Sequence, residues 1–293
     1  MKRVSTVLVS ILLIASVAVA QDGFTKMRIA GSPSMVPCSE RLTAWYHNNH
    51  PNASFTVEGV AIPKAIAALI AGKADIVQSS RKVLGGESGA LREKTGKKFV
   101  QVPVATEVAG ILVHPANPIR ELSIFDLRRI LSGAVKNWKQ VGGNDAPIQI
   151  YGRNESSDIR EFIEEEFMGD ASVAASAITF PKNAALYAAV ASNKNGIGYG
   201  SINPELNPNI RFVAIKPSAS EAAVAPTTEN IREHRYPLVR PLYFIFAGEP
   251  SGELRRFGEW ALSGQGQLVV EAAELWPLGP ADREQGKTLL AAR

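Results

Sequence analysis

One stretch limits the possible folds more than any other: Tyr151–Gly169, YGRNESSDIREFIEEEFMG. A β-branched and aromatic run (Ile148, Ile150, Tyr151) stops at Gly152, and from Ser157 onward the apolar residues Ile159, Phe162, Ile163 and Phe167 fall at helical spacing. A strand, a polar turn and a helix start present backbone N–H groups and the positive end of a helix dipole to one point. Ser156 and Ser157 add hydroxyls there, and Arg153 adds a planar fork of donors suited to phosphate or carboxylate. The same geometry serves a plain helix cap, with Arg153 paired to Glu155 or Glu164, so this stretch alone leaves both readings open.

The pattern recurs along the chain. Met27–Ala30 is a short strand ending in Gly31-Ser32-Pro33-Ser34, after which Met35, Leu42, Trp45 and Tyr46 mark a helix stopped by Pro51. Ser54–Val60 alternates as a strand, Pro63 sits at a first helical position, and Gly72 closes that helix. Asp75–Gln78 is a third strand, ending in Ser79-Ser80-Arg81. Three strand ends thus carry small polar residues, which in an open α/β sheet meet at one carboxyl edge. Further on, Phe99–Ala105 and Val108–Val113 read as two apolar runs parted by Thr106-Glu107, and Ser123 as the cap of a helix over Ile124–Leu131. Strands at Ile197–Ile202, Ile210–Ile215 and Leu238–Ile245 follow, then two consecutive helices within Glu253–Leu275, divided at Gly264 and Gly266. Strands alternating with helices predict α/β layers with mostly parallel strands.

The start of the chain places it outside the cytoplasm. Lys2 and Arg3 precede an apolar run from Val7 to Ala20 ending in Ala18-Val19-Ala20, the pattern of a cleavable signal peptide over residues 1–20 and too short for a membrane span. Cys38, the single cysteine, lies well past that site, so the sequence predicts neither a lipid-bearing N-terminus nor an intrachain disulfide. Roughly 270 residues remain, enough for one large or two medium domains. A net charge of +4 with no basic block argues against nucleic acid as a partner. His47 and His50 are three apart on one helix without an acidic or cysteine partner, and Cys38 reads as a small core filler. No G-x-S-x-G segment occurs, which counts against a hydrolase, and Glu161 with Glu164–Glu166 reads as a solvated helix face. The expectation is therefore no enzyme, no metal and no cofactor.

Six collinear segments together resemble the phosphate-binding proteins of bacterial ABC-type phosphate uptake, a branch of the type 2 periplasmic binding proteins. They are GSPSMVP (Gly31–Pro37), ALIAGKADIVQSSRKV (Ala68–Val83), LSIFDLRRILSGAVKNWKQVGG (Leu122–Gly143), YGRNESSDIREF (Tyr151–Phe162), NGIGYGSI (Asn195–Ile202) and YPLVRPLYFIF (Tyr236–Phe246). The resemblance implies two α/β lobes, each a mostly parallel sheet flanked by helices, joined by two crossing strands that act as a hinge. The first lobe would take residues 21–105 and a return over 236–293, and the second residues 106–235. It also implies an oxyanion, phosphate foremost, held between the lobes by Ser32, Ser34, Met35, Ser79, Ser80, Arg81, Arg153, Ser156, Ser157 and Asp158. A monomeric periplasmic protein delivering its ligand to an ABC permease in the inner membrane follows from the same resemblance. Two departures point to an alternative, a sensor or envelope interaction protein built on the same fold or a receptor for another anion. Ile62-Pro63 stands where the family has a Gly/Ser/Thr turn, and Asp158-Ile159 where it has Gly-Thr. In the phosphate reading, selectivity against sulfate turns on an acceptor for the phosphate's proton, and Asp158 and Glu107 are the candidates for it.

Overall fold

A close backbone approach fixes the first strand. In the computed structural model, which describes residues 25–155, 157–201, 210–218 and 220–291, β1 (Thr25–Gly31) ends with Gly31 at φ 137°. A Cβ there would lie 2.0 Å from the carbonyl oxygen of Gln78, so only glycine allows the neighbouring strand this close. The expected leader, residues 1–20, and Ser156 lie outside the described residues. A short 3-10 turn, Pro33–Met35, leads into α1 (Val36–Asn49), which buries Cys38, Leu42 and Tyr46 at four-residue intervals. β2 (Ala53–Gly59), α2 (Ile62–Ile70) and β3 (Ile76–Ser79) follow, with β2 and β3 parallel to β1 on either side. The α2 residues Ile62, Ala65, Ile66 and Leu69 are buried in one cluster with Val77 and Ile245.

After α3 (Gly85–Thr95), β4 (Phe99–Val113) runs as one strand of 15 residues. The break expected at Thr106-Glu107 does not occur, because Glu107 faces Arg240 across the ladder and the charge has a partner in the sheet. β5 (Glu121–Ser123) precedes α4 (Ile124–Leu131), where the Ser123 hydroxyl accepts from the Asp126 N–H at 3.0 Å, the expected cap. β6 (Gln149–Arg153) leads to α5 (Asp158–Phe162), which continues as wider turns over Ile163–Met168. β7 (Ile178–Phe180), α6 (Asn183–Ser192) and β8 (Gly196–Ser201) complete a second parallel unit, with β6 between β8 and β7. The expected strand Ile210–Ile215 is two short ones, β9 (Arg211–Phe212) and β10 (Ala214–Lys216), and β10 pairs with β5. α7 (Thr228–Arg232), β11 (Val239–Ala247), α8 (Gly252–Ala261), α9 (Gly264–Ala272) and α10 (Pro280–Ala291) end the chain.

The main sheet has the order β2-β1-β3-β11-β4-β8-β6-β7, with β9 also on β4. Two central strands tie its flanks together. β4 pairs with β11 over Phe99–Val108 and with β8 over Ala109–Val113, so it changes partner at Val108/Ala109. The largest buried clusters divide near the same level: one holds Val108, Ile111, Leu127, Trp138, Ile163 and Tyr199, the other Met27, Leu42, Tyr46, Val102, Phe244 and Phe257. Each fully buried large side chain contributes ~1.5–3 kcal/mol, so each flank has a core of its own. Between them, Pro241 faces Thr106, Pro103 faces Tyr243, and the register shifts at Leu242/Tyr243. Thr106 and Trp276 exchange backbone hydrogen bonds at 2.9 and 3.0 Å, which pin the segment after α9 to this crossing.

Candidate functional site

The polar turns at the strand ends are built first by the backbone. At the end of β1, the Ser32 N–H donates to the Gln78 carbonyl and the Gln78 side chain donates back to the Ser32 carbonyl, both at 2.9 Å. The hydroxyls of Ser32 and Ser34 share a hydrogen bond at 3.2 Å, with Ser32 buried and Ser34 exposed. Met35 points the other way: its side chain lies in the core and its N–H donates to the Ser32 carbonyl at 3.1 Å. At the end of β3, the buried Ser79 hydroxyl donates to the Arg81 carbonyl (2.7 Å) and accepts from the Arg81 N–H (3.2 Å), shaping the turn. Ser80 lines the cleft beyond it, and Arg81 forks onto Glu87 at 2.9 and 3.0 Å.

Across the cleft, β6 delivers Arg153. Its guanidinium donates to the carbonyls of Phe180 (3.3 Å) and Pro181 (2.9 Å) and to the Asn183 side-chain oxygen (2.8 Å). Asn183 in turn donates to the Ser201 carbonyl at 2.8 Å, so a side chain at the start of α6 orients the fork. From beneath, the Tyr199 hydroxyl donates to the Arg153 carbonyl at 3.3 Å and Arg160 approaches that hydroxyl at 3.2 Å. Arg160, and not Arg153, pairs with Glu164. Ser157 is nearly buried ahead of α5, its N–H on the Asn154 carbonyl at 3.0 Å and its carbonyl taking the Arg160 N–H at 2.8 Å. The side chain of Asp158 lies outside the description, as does Ser156.

Ser34, Glu107, Arg153, Ser157 and Asn183 line one cavity of about 440 Å³. It draws Ser34 from the first unit, Arg153 and Ser157 from the second, and Glu107 from the strand that joins them. A neighbouring hollow of about 450 Å³ is lined by Ser80 and Arg81 on one side and Glu161, Phe162 and Glu165 on the other, with Arg240 beside them. Glu107 and Arg240 form a buried ion pair, Nε and Nη2 of Arg240 lying 2.9 and 2.7 Å from Oε2 of Glu107. The pair therefore separates the two hollows, and the Arg240 guanidinium lies 4.7 Å from the centre of the Phe162 ring. Ile62 lines the second hollow at the start of α2, a helix whose first turn contains Pro63 and has no side-chain cap.

Sequence reasoning named Glu107 but passed over Arg240 and Asn183. Arg240 was legible as a charge inside the otherwise apolar run LVRPLYFI; Asn183 carried no signal, because its role arises from the meeting of β7, α6 and β8. Cys38 is a buried filler whose thiol is pushed up to about 12 by burial. His47 bonds the Ala53 carbonyl at 2.7 Å and His50 stacks on Tyr46. Among the described residues no cluster of three His, Cys, Asp or Glu could hold a metal ion, and no helix is long and apolar enough to cross a membrane.

Residues 18–265 match the family model of the PBP superfamily domain. The phosphate-binding protein PstS of Pseudomonas aeruginosa is 30% identical over 248 residues, covering 78% of this chain and 76% of its own. Among solved structures, an ABC-type phosphate transport receptor from Vibrio cholerae superposes with a TM-score of 0.75 at 26% identity, over 86% of this chain and 99% of that one. A possible phosphate binding protein from Planctomyces limnophilus gives a TM-score of 0.78 at 23% identity, over 92% and 98% of the two chains, and shares the fold.

Proposed function

Because this chain belongs to the PBP superfamily and, within it, to the PstS-like phosphate-binding proteins, we propose that it is an exported receptor that binds inorganic phosphate and passes it to an ABC permease in the inner membrane. The observation that carries this reading is the cavity in which Ser34 of the first unit meets Arg153 and Ser157 of the second. Residues 21–105 with 236–293 form one lobe and residues 106–235 the other, closing over the ligand by bending at the β4/β11 crossing. Hydroxyls and the Arg153 fork supply charge-assisted bonds, each contributing ~1.5–3 kcal/mol. Ser80 and Arg81 line the second hollow, beyond the Glu107–Arg240 pair, while Ser32, Ser79 and Met35 shape the turns that aim the others. The family is one of substrate-binding proteins, and the chain acts by binding and release.

Titration calorimetry with phosphate, paired with small-angle scattering to read closure, tests this reading. Saturable heat with a fall in radius of gyration supports it; no response at millimolar phosphate rejects it. A second reading, a sensor or envelope interaction protein on the same fold, is favoured by Arg81 being tied to Glu87 and by the bare start of α2. Co-purification with a permease supports transport, and co-purification with a sensor complex in its place supports the second reading.

A further inference from the structure

Size and charge set the anion cavity apart from a pocket cut to a bare phosphate. At about 440 Å³ it lies in the range that holds small organic ligands, far more than a lone phosphate fills. Its lining carries two guanidinium groups, Arg41 and Arg153, and two carboxylates, Glu107 and Glu274. Arg240 holds Glu107, Arg41 donates to the Ala272 carbonyl, and Arg153 is tied to Pro181 and Asn183. Glu274 differs from these: its side chain is exposed at the cavity, and its carboxylate has no hydrogen bond or ion pair among the described residues. The backbone there is left-handed, with φ 64°, just past the end of α9, where a chain leaving a helix ordinarily places glycine. The turn is fixed, with the Glu274 N–H on the Glu271 carbonyl at 2.9 Å and Trp276 pinned to Thr106 two residues on. A strained position that keeps a charged side chain at a binding cleft points to a use for that side chain.

We propose that the cleft also takes phosphoryl compounds that carry an ammonium group, the class of phosphoethanolamine and 2-aminoethylphosphonate, with the phosphoryl end on Ser34, Arg153 and Ser157 and the ammonium on Glu274. The inference rests on the phosphate reading above for the phosphoryl end. Glu274 faces α6: the Tyr187 hydroxyl donates to the Ser201 carbonyl, which also takes the Asn183 amide. The Tyr187 pKa is raised by burial first and by the Glu274 carboxylate second, while Arg153 acts in the opposite sense. Glu274 on the return segment therefore stands within electrostatic reach of the groups that orient Arg153 in the second unit. A free carboxylate beside an approaching dianion repels it. A ligand that brings its own cation turns that repulsion into attraction, and the ammonium supplies donors to a group that only accepts.

The test is a calorimetric series with inorganic phosphate, phosphoethanolamine and ethyl phosphate, whose tail is uncharged, on the purified wild-type protein and on E274Q. The wild type is expected to bind phosphoethanolamine about 3- to 10-fold more tightly than ethyl phosphate, a preference that shrinks with added salt. In E274Q the two esters are expected to bind within about twofold of each other. E274G, which gives the left-handed turn its ordinary residue, supplies the same readout if E274Q does not fold. Equal affinities of the two esters for the wild type, or the same preference retained by both folded variants, overturn the inference. Binding of phosphate with neither ester overturns it and leaves the phosphate reading standing. Preferential binding of phosphoethanolamine without any response to phosphate supports it and overturns inorganic phosphate as the ligand. No heat with any of the three compounds removes both readings together.

Discussion

The ring of Tyr199 occupies the space a side chain at Gly152 would need: a Cβ built there comes within 2.3 Å of the ring carbon bearing the hydroxyl. Tyr199 is fully buried and holds the Arg153 carbonyl, so it cannot step aside. Gly152→Ala is therefore expected to destabilise by about 1–3 kcal/mol through overpacking, lowering Tm by about 2–4 °C for each kcal/mol. It also displaces Arg153, so phosphate affinity falls in the protein that remains folded. Urea denaturation and calorimetry on the same preparation measure the two effects.

Arg153→Ala should weaken phosphate binding by about 10- to 100-fold, the loss of one charge-assisted contact, with little change in Tm. Asn183→Ala, which removes the group orienting that fork, should give a smaller loss of about fivefold, because the Phe180 and Pro181 carbonyls still hold it. If Asn183→Ala abolished binding altogether, the side chain would have to touch the ligand directly.

Arg240→Ala leaves Glu107 buried without its partner and should cost about 3–5 kcal/mol in urea denaturation. Replacing both residues, Arg240→Met with Glu107→Leu, should cost much less, since no charge is then left in the sheet. Equal losses in the single and double variants would contradict this account.

The Arg81 guanidinium, bonded to both oxygens of Glu87, holds that carboxyl below the usual value of 4.5, outweighing the burial that pushes it up. A depressed native pKa means stability that is complete above the unfolded value and is lost as pH falls through the native one. Glu87→Gln should thus lower Tm near neutral pH, and the gap from wild type should close as pH falls through the depressed native value, below the ordinary carboxylate range. A gap independent of pH would assign the effect to packing.

Ala61, at the cap position just before α2, is exposed and offers no side-chain acceptor to the first turn. Ala61→Ser should stabilise by about 0.5–2 kcal/mol as a helix cap. Thermal denaturation checks this directly, and an unchanged or lower Tm would show that the start of α2 is already satisfied by other means.

The layered α/β architecture was legible because the chain keeps switching from short β runs to helical spacing, and Gly31, Ser123 and the Gly264–Gly266 break each mark a boundary the structure contains. The Thr106-Glu107 pair misled, since a charge in an apolar run ordinarily ends a strand; here the compensating charge lies 133 residues later, at Arg240. That the cavity is shared by Ser34 and Arg153 was anticipated only through the collinear family segments. Asn183 and Tyr199 act through contacts between separate strands and helices, which local spacing does not encode.

The register slips at Leu242/Tyr243, between Pro241, which faces Thr106, and Pro103, which faces Tyr243, and neither proline has an N–H to lend the ladder. The ladder between β4 and β11 therefore has its fewest backbone donors at these adjacent rows. In the two-lobe reading proposed above, a bend along this seam would turn the halves as solid bodies, so the surface would offer a docking partner two distinct shapes and few intermediates.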